Sequence, residues 1–302
     1  MRGADRRAYL QGILTNDIAA LRPGTGCYAA MLTAQGRMIA DMRVLELGEE
    51  ILLDVPQGLG PSLRTHLDRF VFSEDVQVED VTGTRAAIGL YGPRALDVLT
   101  AAAGGEGVPS SLDALYATAP LRIAGVEVLV VRSDDIGVPG FDLVMDRTAI
   151  DAVTVALAAA GALEASDTDV EAVRIESGRP WFGADMSTET IPLEAGLEDR
   201  AISRSKGCYV GQEVIVRVQD RGQGRVARRL VGLTLDASAA VPPRDAVIRS
   251  GDREIGAVTS AAWSPSLSRP VALGYVHRDF VEPGTPLTVN GEPAAVAALP
   301  LV

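Results

Sequence analysis

The sequence predicts an α+β fold followed by a smaller C-terminal unit made of strands alone. Through residue 221, segments with helical spacing alternate with short runs typical of strands, and most neighbouring strands are joined by hairpin-like turns. After the Gly-containing stretch 220–224, helix signals disappear and short apolar runs recur between Gly, Pro and Ser. That second pattern is typical of a small β-barrel or sandwich. We therefore predict two units, residues 1–221 and 222–302.

The predicted elements follow in order along the chain. In the first unit they are a short helix or turn within 8–21, strands at 27–33, 38–47 and 51–55, a helix from Pro56 to Phe70, strands at 76–81 and 85–91, a helix starting at 92–94, strands within 121–131 and at 141–145, and helices at 147–160 and from Thr168 or Asp169 to Gly178. In the second unit, strands are predicted at 230–235, 246–249, 255–260, 271–276 and 286–289.

Composition excludes several classes of function. The net charge of −12 argues against general affinity for nucleic acid or an anionic membrane, and no apolar run reaches the length of a membrane span. Two cysteines and two histidines are too few for a disulfide framework, a zinc finger or a four-cysteine cluster, so we expect no metal site. We expect a monomer in a reducing cytoplasm, since the N-terminus lacks a secretory signal and the cysteines lie far apart.

One eight-residue stretch, 206–213 (KGCYVGQE), concentrates reactive side chains. Lys206 is the single lysine among 28 basic residues, and Cys208 is one of only two cysteines. Desolvation lowers the pKa of a lysine readily, and a neighbouring cation stabilises a thiolate. We therefore predict a functional site with Lys206 and Cys208 as catalytic residues. The alternative is a Gly-punctuated loop with an ordinary buried cysteine.

The chemical role of Cys208 stays open between a nucleophile, a redox thiol and a soft metal ligand shared with a partner protein. On a strand, Lys206 and Cys208 would face the same side. Tyr209 would then point the other way, into packing or toward a ligand. Cys27 has no such setting, and we predict that it is a small buried apolar side chain.

A basic segment surrounds this stretch on an otherwise acidic chain. Besides Lys206, it contains Arg200, Arg204, Arg217, Arg221, Arg225, Arg228 and Arg229. It is either a cavity mouth that attracts an anionic ligand or a solvated strand pair with interdomain salt bridges.

The KGCYVGQE stretch resembles the signature of the YgfZ-type folate-binding proteins. These are relatives of the glycine-cleavage T-protein (aminomethyltransferase) and include a mitochondrial iron–sulfur assembly factor. Shorter matches keep the order of that superfamily: LTND at 14–17, GPRA at 92–95, RIESG at 174–178 and ALGYV at 272–276. The resemblance covers nearly the whole chain. It implies a three-lobed ring of two α+β lobes and a small β-barrel, with tetrahydrofolate or a one-carbon derivative in the central hole.

The resemblance also implies roles for single residues. The similar T-proteins carry the pattern G-x-x-x-D-D in the strand after the first hairpin, and an aspartate there assists chemistry at the folate nitrogen. In this chain, Ala40 replaces one of the two acids and Asp41 remains. Asp142 stands where the T-protein pattern has a glutamate for the pterin edge, although it could instead face solvent at a strand end. Arg174 would hold the folate tail or form an interlobe salt bridge. Further candidate contacts of the cofactor are Lys206 and Tyr209, whereas Trp181 and Phe182 are either pocket walls or core.

These residues support two functional hypotheses. The first is a tetrahydrofolate-binding protein that supports assembly or repair of iron–sulfur clusters in client enzymes, with Cys208 essential; its partners would be folate and those clients. The alternative is a tetrahydrofolate-dependent aminomethyltransferase that uses Asp41. The replacement at Ala40 and the KGC motif favour the first hypothesis. A folate-binding regulator without chemistry is a third possibility.

Overall fold

The structure, a computed structural model, describes residues 1–105, 107–221 and 225–302. It contains a three-stranded sheet, a four-stranded sheet and a closed barrel. The predicted α+β class with a C-terminal β-barrel is thereby confirmed. The predicted boundary at residue 222 falls on 222–224, which lie outside the described residues. Within the described ranges, no helix is both long and apolar enough to cross a membrane.

The first lobe packs two helices on one face of its sheet. Its elements are α1 (Arg6–Ile13), β1 (Thr25–Leu32), β2 (Met38–Glu46), β3 (Ile51–Asp54) and α2 (Gly60–Asp68), with the antiparallel strand order β1-β2-β3. Successive side chains of a strand point to opposite faces. Ala40, Met42 and Val44 of β2 pack in the core with both helices. Asp41 and Arg43 therefore lie on the opposite face, which turns toward the rest of the chain.

The second lobe has an antiparallel sheet in the order β4-β7-β6-β5. Its elements are β4 (Arg85–Tyr91), α3 (Ala95–Ala102), β5 (Thr118–Ile123), β6 (Val126–Ser133), β7 (Gly140–Asp146) and α4 (Ile150–Ala159). The strand predicted at 76–81 is wrong, because this segment forms only a single bridge between Gln77 and Arg2. Val76 and Val78 pack against the first core, which explains the alternating pattern without a partner strand.

A segment with short helices joins the lobes to the barrel. It contains α5 (Asp167–Glu176), α6 (Glu198–Ala201) and α7 (Gln212–Val216). The N-cap of α5 is Ser166, not the predicted Thr168 or Asp169; Asp169 instead completes a capping box with Ser166. The apolar side of α5 packs against the barrel. After α5, the chain returns to the face of the first sheet that carries Tyr28, Ala30 and Leu32, where Met186, Leu193, Leu197, Ile215 and Val226 pack.

The C-terminal unit is a closed barrel with the strand order β10-β11-β8-β13-β12-β9. Its strands are β8 (Arg228–Leu235), β9 (Val247–Ser250), β10 (Arg253–Ser264), β11 (Arg269–His277), β12 (Pro286–Val289) and β13 (Glu292–Ala297). The sequence analysis missed β13, since its alanine-rich sequence carries a weak strand signal. This strand closes the barrel by pairing with both β12 and β8.

Candidate functional site

A cavity of about 510 Å³ lies between the two sheets and the segment that follows α5. Its charged lining residues are Asp41, Arg43, Asp54, Asp135, Asp142 and Arg200, and its aromatic ones are Tyr28, Tyr91, Trp181 and Phe182. Two of the predicted site residues, Asp41 and Asp142, thus meet here, and the two aromatic residues of undecided role are pocket walls. Ligand pockets are concave, about 300–1,000 Å³ in volume and carry a few placed polar groups. This cavity is therefore the candidate site.

Asp41 is a buried acid with unused acceptor capacity. The residue is 7% exposed. Its Oδ2 accepts a hydrogen bond from the Tyr28 hydroxyl at 2.5 Å, whereas its Oδ1 is buried and has no partner in the part of the chain that the structure describes. Burial raises the pKa of Asp41, and the bond from Tyr28 opposes that rise. A buried carboxyl with one free oxygen at a cavity wall can exchange a proton with a ligand.

Asp142 is 8% exposed and lines the cavity, so the solvent-facing alternative is wrong. Its Oδ1 accepts from the Tyr91 hydroxyl at 2.9 Å, and its Oδ2 accepts from Nη1 of Arg43. A carboxylate offers about four acceptor positions. Each oxygen of Asp142 therefore keeps room for a donor from a ligand, and its role in cofactor binding stays a prediction.

Arg43, which the sequence analysis did not single out, connects the acidic groups of the cavity. Its Nε donates to Asp54 at 2.8 Å, and its Nη1 lies 3.2 Å from the Ser133 hydroxyl and 3.0 Å from Asp135, besides bonding Asp142. Burial opposes the charged guanidinium, but Asp142, Asp54 and Asp135 outweigh it and raise the pKa of Arg43. One cation thus joins strands of both lobes. The sequence signal that could have identified Arg43 was its position two residues after Asp41 on one strand, which places both side chains on the same face of the sheet.

Arg200 is the second cation of the cavity. Its Nη2 donates to the Tyr116 hydroxyl at 2.9 Å, and it lies 3.7 Å from Asp135. Its guanidinium carbon lies 4.9 Å from the centre of the Tyr28 ring, a cation–π contact. Arg200 therefore covers the tyrosine that holds Asp41.

Arg174 lies outside the cavity lining and is fully buried. Its Nη1 donates to Asp185 at 2.6 Å, and its Nε donates to Glu171 at 2.9 Å. Asp185 in turn accepts from the Thr259 hydroxyl of the barrel at 2.5 Å. Both ion pairs lie within α5 and the segment after it, and they reach the barrel only through Thr259, so they form a local salt-bridge network and not a direct interlobe salt bridge. The predicted contact of Arg174 with a folate tail stays a prediction. The guanidinium also lies 4.8 Å from the Trp181 ring centre, so Arg174 reaches the cavity only through that ring.

Lys206 clamps the end of α1. Its buried Nζ donates to the backbone carbonyls of Gln11 at 2.6 Å, Leu14 at 2.5 Å and Asn16 at 3.0 Å. All three ammonium hydrogens are used. The Gln11 carbonyl lies in the last turn of α1, where carbonyls lack intrahelical partners, and the carbonyls of Leu14 and Asn16 lie just after the helix. Burial lowers the pKa of Lys206 to about 8, an effect that Asp17 opposes. The geometry is that of a structural clamp.

The predicted strand geometry of the KGC motif is wrong. Residues 207–209 form no strand, and Lys206 is buried whereas Cys208 is exposed. Tyr209 does not point away from Lys206, because its ring centre lies 5.1 Å from the ammonium. The thiol therefore faces solvent while the ammonium is held inside. The catalytic role of Cys208 stays a prediction, without support from an adjacent lysine.

Cys27 is half-buried against the core of the first lobe. Burial raises the pKa of its thiol to about 12, although the Lys206 charge opposes the rise. Both observations agree with the predicted packing role.

The basic segment contributes salt bridges between the barrel and the lobes. Arg228 lies 3.2 Å from Glu194 and Arg229 lies 2.7 Å from Glu198, which ties β8 to the segment around α6. These pairs agree with the interdomain alternative. The side chain of Arg221 lies outside the described residues.

Comparison with known proteins agrees with this architecture. The GCVT N-terminal domain model matches residues 1–206, and the glycine cleavage T-protein C-terminal barrel domain model matches residues 228–302. An aminomethyltransferase of Saccharopolyspora erythraea is 32% identical over 301 residues, which cover 95% of this chain and 79% of the relative. An aminomethyltransferase of Thermus thermophilus is 30% identical over 305 residues, covering 100% of this chain and 83% of the relative.

A solved structure has the same fold. The glycine cleavage system aminomethyltransferase T from Bartonella henselae superposes with a TM-score of 0.82 at 24% sequence identity, covering 100% of this chain and 82% of that one. Two domain models in the right order and relatives aligned over nearly the full length lead to one conclusion: the chain belongs to the glycine cleavage T-protein family.

Proposed function

We propose that this chain binds tetrahydrofolate or a one-carbon derivative in its cavity and acts as a tetrahydrofolate-dependent aminomethyltransferase. The observation that carries the proposal is Asp41, a buried acid of the cavity lining whose Oδ1 has no hydrogen-bond partner among the described residues. The relatives named aminomethyltransferase support the reaction class, since they align over nearly the whole chain. We therefore place the aminomethyltransferase before the iron–sulfur role, whereas the sequence alone favoured the iron–sulfur role.

The lining of the cavity suits a reduced folate. Tyr91, Trp181 and Phe182 offer flat apolar surfaces for a fused ring. Asp142 keeps acceptor positions for an N–H-rich ring edge, and a charged acceptor makes such hydrogen bonds strong. The volume of about 510 Å³ lies within the range for cofactor-sized ligands.

Asp41 would be the protein group that exchanges a proton during the reaction. Bound tetrahydrofolate would supply the nitrogens that accept the one-carbon unit. Asp41 would hold or release a proton at Oδ1, while the Tyr28 hydroxyl continues to donate to Oδ2. Because burial raises the pKa of Asp41, its carboxyl keeps a proton at higher pH than an exposed aspartate does. Trp181 and Phe182 would exclude water from that side.

The first test is Asp41→Asn, with formation of methylene-tetrahydrofolate from an aminomethyl-lipoyl carrier protein as the assay. We expect turnover to fall by about 10²–10⁴-fold, the usual contribution of a general acid or base. The Kd for tetrahydrofolate should change little, because the side chain keeps its size. Asp68→Asn on α2 is the matched control, since that carboxylate is exposed, lies outside the cavity lining and pairs with Arg64; it should keep wild-type turnover.

Two results would contradict the proposal in different ways. Wild-type protein that binds tetrahydrofolate but shows no turnover would remove the transferase activity and keep the cofactor. Failure to bind tetrahydrofolate at all would remove both.

A second candidate function is favoured by the exposed thiol of Cys208 within the KGCYVGQE stretch. It is the YgfZ-type role: a folate-binding protein that supports assembly or repair of iron–sulfur clusters. This role requires the Cys208 thiol and does not require aminomethyl transfer. Restoration of growth in a strain lacking the protein, compared between wild type and Cys208→Ser, distinguishes it from the transferase.

We propose that residues 1–221 form the folate-binding region and that 222–302 form a separate barrel unit. The partners would be folate together with an aminomethyl carrier or iron–sulfur clients. The monomeric state and the cytoplasmic location stay predictions.

A further inference from the structure

We propose that Arg43 is a positioning residue for the cofactor ring: it aims Asp142 at the N–H-rich edge of a 2-amino-4-oxopterin and so sets the preference for that ring. The inference rests on the proposed binding of folate. It goes further by naming the part of the ligand that is selected and a residue that controls the selection by orienting Asp142.

The first argument is geometric. Nε and Nη2 of Arg43 both bond Asp54 on β3, while Nη1 bonds Asp142 on β7. The guanidinium is planar, so fixing two of its nitrogens on Asp54 fixes the direction of the third. Tyr91 holds the other oxygen of Asp142 from β4. The Asp142 carboxylate is therefore oriented from both lobes, and its side chain is 11% exposed.

The second argument concerns charge. The Arg43 guanidinium faces three carboxylates, those of Asp54, Asp135 and Asp142. Burial raises the pKa of Asp135, and Arg43 is the strongest influence that lowers it, ahead of the more distant Arg200. The neutral groups that face the same centre are the hydroxyls of Ser133, Tyr91 and Tyr116. Without Arg43, the Asp142 carboxylate would lose its cation and keep the Asp135 carboxylate as a repelling neighbour, so it would no longer be held in its present direction.

The third argument identifies the ligand edge. Each oxygen of Asp142 has one described partner and keeps an acceptor position. The 2-amino group and N3–H of a pterin are adjacent parallel donors, and two such donors match the two oxygens of one carboxylate. A ring without the 2-amino group offers one donor fewer. Loss of a hydrogen bond to a charged group lowers affinity by about tenfold or more.

The experiment compares the Kd of tetrahydrofolate with that of its 2-desamino analogue, by titration calorimetry at pH 7. Wild-type protein should prefer tetrahydrofolate by about tenfold or more. In Arg43→Met, the ratio should fall to about twofold or less, since Asp142 is no longer aimed. Arg132→Met is the matched control, because Arg132 on β6 donates to the Gly140 carbonyl at 3.1 Å and packs on Phe141. This control should keep the wild-type ratio.

The ratio of the two Kd values separates a loss of positioning from general damage to the fold, because general damage affects the binding of both ligands equally. Arg43→Lys provides a second variant if Arg43→Met does not fold. It keeps the charge but not the planar fork, and we expect its ratio to fall as well. An unchanged ratio in either folded variant would overturn the inference while leaving folate binding intact. Failure of wild-type protein to bind tetrahydrofolate would instead overturn the proposed function.

Discussion

The cavity and the KGCYVGQE segment make opposite uses of buried polar groups. In the cavity lining, Asp41 has an oxygen without a partner among the described residues, and each oxygen of Asp142 keeps an acceptor position. In the KGC segment, all three hydrogens of the Lys206 ammonium are consumed by backbone carbonyls. The first arrangement leaves capacity for a ligand, whereas the second leaves none.

This difference shows which features indicate chemistry. A rare residue type drew attention to Lys206, yet its surroundings make it a clamp. Asp41 is one of many acids in the chain, yet its surroundings leave it a free oxygen. Unused hydrogen-bonding capacity in a residue that lines a cavity is therefore the better indicator, and substitutions of Lys206, Tyr28 and Cys208 test the contrast.

The largest effect on stability should come from Lys206→Met. The carbonyls of Gln11, Leu14 and Asn16 would lose their donor at a buried site. Hydrogen bonds to charged groups contribute about 1.5–3 kcal/mol each, and partial rearrangement offsets some of the loss, so we expect destabilisation of about 3 kcal/mol. Urea unfolding at pH 7 measures it.

Lys206→Arg sharpens this test, since a planar guanidinium does not converge on three carbonyls as an ammonium does. We expect this variant to lose most of the same stability. Turnover per folded molecule should stay close to wild type in both variants. Full stability with lost turnover would return Lys206 to the catalytic residues.

An intermediate effect is expected from Tyr28→Phe, which removes the hydroxyl that donates to Asp41. That hydrogen bond lowers the pKa of Asp41, so its loss raises the pKa further, although a backbone hydrogen bond and the Arg200 charge still oppose burial. The limb of the pH–rate profile that reports Asp41 should move to higher pH, whichever protonation form is active. A lost hydrogen bond of this kind corresponds to about a 5- to 10-fold loss in kcat at pH 7.

Tyr116→Phe is the control for this shift. Its hydroxyl contacts Arg200 and Asp135 but not Asp41. We expect the Asp41 limb to stay in place in that variant. A limb that stays in place in Tyr28→Phe as well would disconnect the tyrosine from Asp41.

The sequence predicted the elements whose signals are local. Alternating strands, turn residues and the change of pattern near residue 222 were enough for the α+β class and for an all-β C-terminal unit, whereas the choice of a barrel over a sandwich came from the family resemblance. The missed strand β13 and the wrong strand at 76–81 have the same origin, since apolar alternation reports burial and not strand pairing. The resemblance to a family supplied the three-lobed arrangement that periodicity did not.

The site was harder to predict because its partners are distant in sequence. Arg43 meets Asp142 across 99 residues, and Lys206 meets Gln11 across 195. No local pattern reports which buried charge a given residue will meet. The alternation of β2 did place Arg43 on the same face as Asp41, and that was the one signal that could have identified it.

The smallest effect should come from Cys208→Ser, in the same segment as the most destabilising change. Cys208 is exposed, and surface substitutions usually alter the free energy of unfolding by less than about 0.5 kcal/mol. Under the aminomethyltransferase proposal, turnover and growth of a complemented strain should match wild type. Normal stability and turnover with failed complementation would show that the thiol has a separate role, as the iron–sulfur candidate requires. Loss of turnover itself would contradict the assignment of the reaction to the cavity alone, because the thiol faces solvent and does not line it.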